Sequence, residues 1–140
     1  MKTSTRNCFH GVISQIDELN GVYQIAVQQH DFIVYSHISP HAFARLQPKI
    51  GNMAIVMIKA SAVSLMAEIT PFRLSAENVL LGTIDAVERG AVNNIVLISL
   101  KNGENAVATI TLDSSEHLDV HAGEEIYAVF NASNTILGLV

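Results

Sequence analysis

The sequence has no tryptophan and a single cysteine, Cys8, which excludes an internal disulfide framework. Charged side chains make up 15 % of its 140 residues and aromatic ones 6 %, whereas apolar residues reach 49 %. So few charges leave little polar surface, and part of that surface is expected to be buried against itself or against other subunits. Long hydrophobic runs are missing too. The longest, Met53-Ala54-Ile55-Val56-Met57-Ile58, is far short of the roughly 20 residues that cross a bilayer. Met1-Lys2-Thr3-Ser4 leads into no apolar signal core. Together these absences point to a soluble cytoplasmic protein with no membrane partner.

Positive charge is scarce in one half. Residues 1–70 carry five Lys and Arg against four acids, a net of +1, while residues 71–140 carry three against nine, a net of −6. A nucleic-acid surface needs a basic stripe, and single-strand readers add stacking aromatics; neither pattern is present. Any anion site is expected in the first half. No nucleophile–base arrangement, glycine-rich phosphate loop or carboxylate pair stands out, so no enzyme is expected. His117 and His121 are four apart, but Gly123 follows closely and a helix should end before His121, leaving a solvated pair and no metal site. His37 and His41 flank Ser39-Pro40 as surface residues, and Cys8 reads as a small apolar strand residue.

What the chain does contain is a repeat. Ser4-Thr5-Arg6-Asn7 returns as Ser75-Ala76-Glu77-Asn78, an offset of 71 that Gly11 and Gly82 share. Gly51 and Gly123, and Lys59-Ala60-Ser61 and Asn131-Ala132-Ser133, are offset by 72. The one-residue slip fits a hairpin turn, Gln28-Gln29-His30-Asp31 in one copy and Lys101-Asn102-Gly103-Glu104 in the other. The copies divide the chain into modules 1–70 and 71–140. Runs rich in β-branched residues, bounded by Gly, Asn and Asp, predict five strands per copy. The first copy has them at 9–16, 23–28, 32–38, 52–59 and 63–67, the second at 79–87, 95–100, 106–110, 125–131 and 135–139. Short helices are expected at 40–46 and 113–118. The expected fold class is therefore all-β: two tandem OB-like five-stranded barrels, each with one short helix.

Three recurrent elements could serve an anion. Ser39-Pro40 is a helix start with free N–H groups. Arg6 offers a planar fork of donors, and Lys59 a point charge. Ser4 and Ser61 add hydroxyls, and Ala60 lets backbone amides approach. All of these donate and none is a carboxylate, which suits a small, doubly charged tetrahedral oxyanion. Singly, each reads as ordinary turn or helix-start chemistry; their joint recurrence points to a shared role, structural or functional.

The pattern resembles the Mop, or TOBE, module of molybdate-binding proteins. That module carries Ser-Ala-Arg-Asn at its start and a Gly-Ala-Val-Asn turn after its first strand. Ile-Thr-x-x-Ser then precedes the short helix, and Lys-Ala-Ser lies near the end. The first copy here has Ser4-Thr5-Arg6-Asn7, Ile38-Ser39 and Lys59-Ala60-Ser61. The second has Gly90-Ala91-Val92-Asn93, Ile110-Thr111-Leu112-Asp113-Ser114 and Asn131-Ala132-Ser133. Nearly the whole chain is similar to the tandem-Mop proteins, which comprise the molbindins and the C-terminal half of a molybdate-responsive transcription regulator. The resemblance implies OB-like barrels assembled as homo-oligomers, dimers or trimers, that bind molybdate or tungstate between modules. It assigns oxyanion contacts to Ser4, Arg6, Asn7, Ser39, Lys59, Ala60 and Ser61, with secondary contacts from Thr111, Ser114 and Ser133. Glu77 and Asn131 replace the arginine and lysine in the second copy, and Ala42 replaces the serine of Ile-Thr-x-x-Ser in the first. A carboxylate repels an oxyanion, so binding is expected to centre on the first copy. The function implied is storage or buffering of the oxyanion. The alternative is an oxyanion-sensing oligomerisation module that acts on a protein partner.

Overall fold

The computed structural model describes residues 2–140. The first copy runs β1 (Asn7–Leu19), β2 (Val22–Gln29), β3 (Phe32–Ile38), α1 (Pro40–Leu46), β4 (Met53–Ile58), a 3-10 turn (Ala60–Ala62) and β5 (Ser64–Met66). The second repeats this order as β6 (Asn78–Arg89), β7 (Asn93–Leu100), β8 (Asn105–Thr111), α2 (Leu112–Leu118), β9 (Glu125–Phe130), a 3-10 turn (Ala132–Asn134) and β10 (Ile136–Leu139). Both helices begin on a hydroxyl cap. Ser39 Oγ accepts from Ala42 N at 3.1 Å, with Pro40 as the first helical residue, and Thr111 Oγ1 accepts from Ser114 N at 3.1 Å. Each is stopped by a left-handed residue, Gln47 or Asp119.

The long first strand of each copy serves two neighbours. β1 pairs through its N-terminal half with β4 and through the rest with β2; β6 does the same with β9 and β7. A bulge at Ser14 in β1, and its counterpart at Asp85 in β6, bends the strand between these partners. The slip in the repeat lies where the turn chemistry put it. Gln29 faces Phe32 across the two-residue turn His30-Asp31. Leu100 N donates to Glu104 O across three residues, the last of them Gly103 at φ +88.

The two five-stranded sheets are not the two sequence copies. Their strand orders are β10-β4-β1-β2-β3 and β5-β9-β6-β7-β8. Each copy gives its last strand to the other: Leu65 pairs with Ala128, and Leu137 with Val56. A cut at residue 70 would take one strand from each sheet. The core is correspondingly shared. Phe9 of β1 stacks on Phe130 of β9 with ring centroids 5.9 Å apart, and one continuous apolar cluster joins Ile13, Ile25 and Val56 to Ile84, Val96 and Ile98.

Two asparagines lock the exchange. Asn7 is fully buried. Its Oδ1 accepts from Val107 N at 2.7 Å, and its Nδ2 donates to Val107 O at 2.8 Å and to Ile58 O at 3.3 Å. Asn78 repeats the motif on the other side, accepting from Tyr35 N at 2.8 Å and donating to Tyr35 O at 2.9 Å. Each side-chain amide thus imitates a strand residue against the opposite copy.

Candidate functional site

The β1–β4 ladder ends at Asn7 opposite Ile58, so Arg6 and Lys59 are the next residues beyond its end, with Ser4 and Ser61 two residues further along each segment. All four side chains are exposed. Like charges at neighbouring strand ends are unfavourable, and neither cation has a carboxylate partner among the described residues. Among the described residues the one ion pair is His121 with Asp119, at 2.8 Å on the surface. Ala60 is buried beside them, and its N–H has no acceptor among the described residues. The strand ends therefore present two cations, two hydroxyls and one free amide.

The equivalent corner of the second copy has the opposite chemistry. Asn78 faces Phe130, so Glu77 holds the position of Arg6 and Asn131 that of Lys59. Glu77 Oε1 accepts a 2.8 Å hydrogen bond from Ala132 N, the counterpart of Ala60 N.

Strand exchange decides which helix start meets which turn. The Ala60–Ala62 turn packs on β8, and a cleft of about 350 Å³ brings Ser61 and Ser64 together with Thr109, Thr111 and Ser114. Thr111 and Ser114 hydroxyls lie 3.0 Å apart at its rim. The secondary contacts expected of Thr111 and Ser114 thus stand beside the first-copy turn within one chain. Ser39 does not. It follows β3, which packs on the Ala132–Asn134 turn through a 2.6 Å hydrogen bond between Ser36 and Thr135. Ser39 and Ser133 accordingly belong to the Glu77 side of the molecule. The resemblance assigned Ser39 to the same contact set as Arg6; within one chain Ser39 follows the strand that packs on the second-copy turn.

Asn7 was expected to touch the oxyanion; its side-chain amide and oxygen are hydrogen-bonded within the protein, to Val107 and Ile58. Its role is to clamp β8. The signal was visible in the repeat, since Asn persists in both copies where Arg does not. α2 ends at Leu118, so His117 and His121 share no helical face. His37 Nε2 is 2.9 Å from Gln24 Oε1. No cluster of three His, Cys, Asp or Glu able to hold a metal is found among the described residues.

Comparison with known proteins places this arrangement. The TOBE domain matches residues 3–65 and again 74–137. The chain belongs to the TOBE domain family. The TOBE pair is 39 % identical over 137 residues to the molybdenum transport protein ModE of Herbaspirillum seropedicae, covering 94 % of this chain and 49 % of that protein. It is 35 % identical over 95 residues to the molybdenum-pterin-binding protein MopB of Rhodobacter capsulatus, covering 68 % of this chain and 34 % of that one. The chain therefore spans about half the length, or less, of these curated relatives. A crystal structure of the cytoplasmic molybdate-binding protein ModG, with molybdate bound, superposes over all of both chains with a TM-score of 0.95 at 31 % identity. The tandem TOBE architecture is thus shared along the whole chain. No helix is long and apolar enough to cross a membrane among the described residues.

Proposed function

We propose that this protein reversibly binds molybdate, or the similar oxyanion tungstate, at the first-copy strand ends, and that it stores or buffers the ion. One observation carries the reading: Arg6 and Lys59 flank the end of the β1–β4 ladder with no ion-pair partner among the described residues, and the amide of buried Ala60 has no acceptor among them. A tetrahedral dianion would relieve the repulsion and take up the donors of Ser4, Ser61 and Ala60, with Thr111 and Ser114 across the cleft. The likeness to ModG, a molybdate-binding protein, supports that choice of ion. Binding here makes and breaks no covalent bond, so no enzymatic step is assigned. The donor set faces solvent on one side, and a second copy of the chain in a dimer or trimer would enclose it. A cytoplasmic location, as described for ModG, goes with this reading.

A second reading is favoured by one finding. The ModE relatives, among them a DNA-binding regulator of Escherichia coli, match this chain over about half of their length. The module would then sense the ion for a protein partner, with no nucleic-acid contact of its own.

Titration calorimetry with molybdate tests the site. Arg6→Ala and Lys59→Ala each remove a charge-assisted donor worth about 1.5–3 kcal/mol, so affinity should fall roughly 10- to 150-fold. Binding by Arg6→Ala equal to that of the parent protein would refute the assignment. Several ions per oligomer favours storage, and one or two at a single interface class favours sensing.

A further inference from the structure

The two corners solve one problem in opposite ways. Each 3-10 turn begins with a buried alanine, Ala60 at 7 % and Ala132 at 0 % exposure, whose N–H must find an acceptor or remain open. In the second copy that acceptor is internal: Glu77 Oε1 lies 2.8 Å from Ala132 N. In the first copy the residue in Glu77's place is Arg6, which can only donate, and Ala60 N has no acceptor among the described residues. The lysine also changes in step, Lys59 becoming Asn131. An Arg–Lys corner needs an anion from outside; a Glu–Asn corner contains one.

We propose that Glu77 is a built-in anion that closes the second copy's binding position, so that no external oxyanion enters there. The inference rests on the first-copy reading above. The carboxylate oxygen occupies the place that an oxyanion oxygen would take on the turn amide. A tethered carboxylate has a local concentration that a dilute free ion does not match. Its charge also repels any dianion approaching the corner. Glu77 is thus the residue that determines which of two near-identical corners is open. It also explains why the second corner keeps its alanine and serine after losing both cations: the turn and its amide are still used, by the chain itself.

Amide NMR of the intact oligomer, titrated with molybdate, tests this without a variant. The Ala60 N–H resonance should shift and saturate while that of Ala132 stays in place; a shift of Ala132 along the same binding curve would overturn the proposal. Hydrogen exchange tests the closure independently of any ligand. Glu77→Ala should speed exchange at Ala132 about tenfold or more, the equivalent of one hydrogen bond. Glu77→Gln, whose amide oxygen still accepts, should leave it nearly unchanged. Unaltered exchange in Glu77→Ala would overturn the closure. Finally, the double variant Glu77→Arg with Asn131→Lys should take up one more molybdate per chain than the parent, and should keep that extra ion when Arg6→Ala is added. A folded double variant with the parent's stoichiometry would count against Glu77. If the parent takes up no molybdate and Ala60 does not move, the first-copy reading fails, while the exchange result still decides the closure.

Discussion

Replacing Asn7 by alanine separates a structural clamp from a ligand contact. The change removes three hydrogen bonds at a fully buried position and leaves Val107 N–H and C=O without partners between the copies. An unsatisfied buried backbone group costs about 1–3 kcal/mol, so the pair should cost about 4 kcal/mol. Unfolding entropy near 2.1 cal/mol/K per residue gives roughly 0.3 kcal/mol/K for a chain of this length. The melting temperature should therefore fall by roughly 13 °C, read by circular dichroism without molybdate at fixed protein concentration. Ser4→Ala, at an exposed position in the same stretch, should stay within about 0.5 kcal/mol of the parent. A loss below about 1 kcal/mol, or roughly 3 °C, would refute the clamp. So would a Asn7→Ala protein that melts normally but has lost affinity for molybdate, since that is the signature of a ligand contact.

Two further predictions concern the junctions between strands. A Cβ at Gly82 would lie 2.5 Å from Ile98 Cγ2 and 2.7 Å from Ser99 O, and one at Gly11 would lie 2.6 Å from Gln28 O. Gly82→Ala and Gly11→Ala should each cost about 1–3 kcal/mol in guanidinium unfolding, and an unchanged midpoint would show that these strands can move apart. Glu104, on the β7–β8 turn, reaches the first copy by accepting from His10 N at 3.3 Å, while its Oε2 is buried without a partner. Burial raises its carboxyl pKa, against the smaller lowering effects of the His10 N–H and the His10 charge. A raised carboxyl pKa favours the folded state below the ordinary glutamate value, and that contribution is lost as pH rises through the folded value. Glu104→Gln should therefore be more stable than the parent at neutral pH, with the difference vanishing in acid; an equal gain at every pH would exclude the carboxylate as its cause.

Much of the fold was legible along the chain. β-branched runs between Gly and Asn turns mark the strands, and Ser39-Pro40 announces α1 because cap and first helical residue are local chemistry. The slip from 71 to 72 could be placed in a hairpin because Asn102-Gly103 signals the longer turn. The candidate site was only half legible. Arg6 and Lys59 stood out as cations lost from the second copy, and both lie just past the end of the β1–β4 ladder. Asn7 entered the set through the resemblance, as the last residue of Ser4-Thr5-Arg6-Asn7; it is fully buried where Arg6 is exposed.

Sequence alone determined the repeat, the strand and helix types, the unequal charge of the two halves and the divergence of Arg6 from Glu77, because each is read from residue identities and local pattern without knowing which strands pair. Only the tertiary structure decided where the last strand of each copy goes. Ser64–Met66 and Ile136–Leu139 are strands of only three and four residues, too short for local pattern to specify a partner. Leu65 pairs with Ala128 and Leu137 with Val56, and Phe9 stacks on Phe130 inside the core the two copies share. That choice sets Thr111 and Ser114 beside Ser61 and moves Ser39 to the corner that Glu77 fills, because backbone pairing over long range is blind to which copy a strand came from.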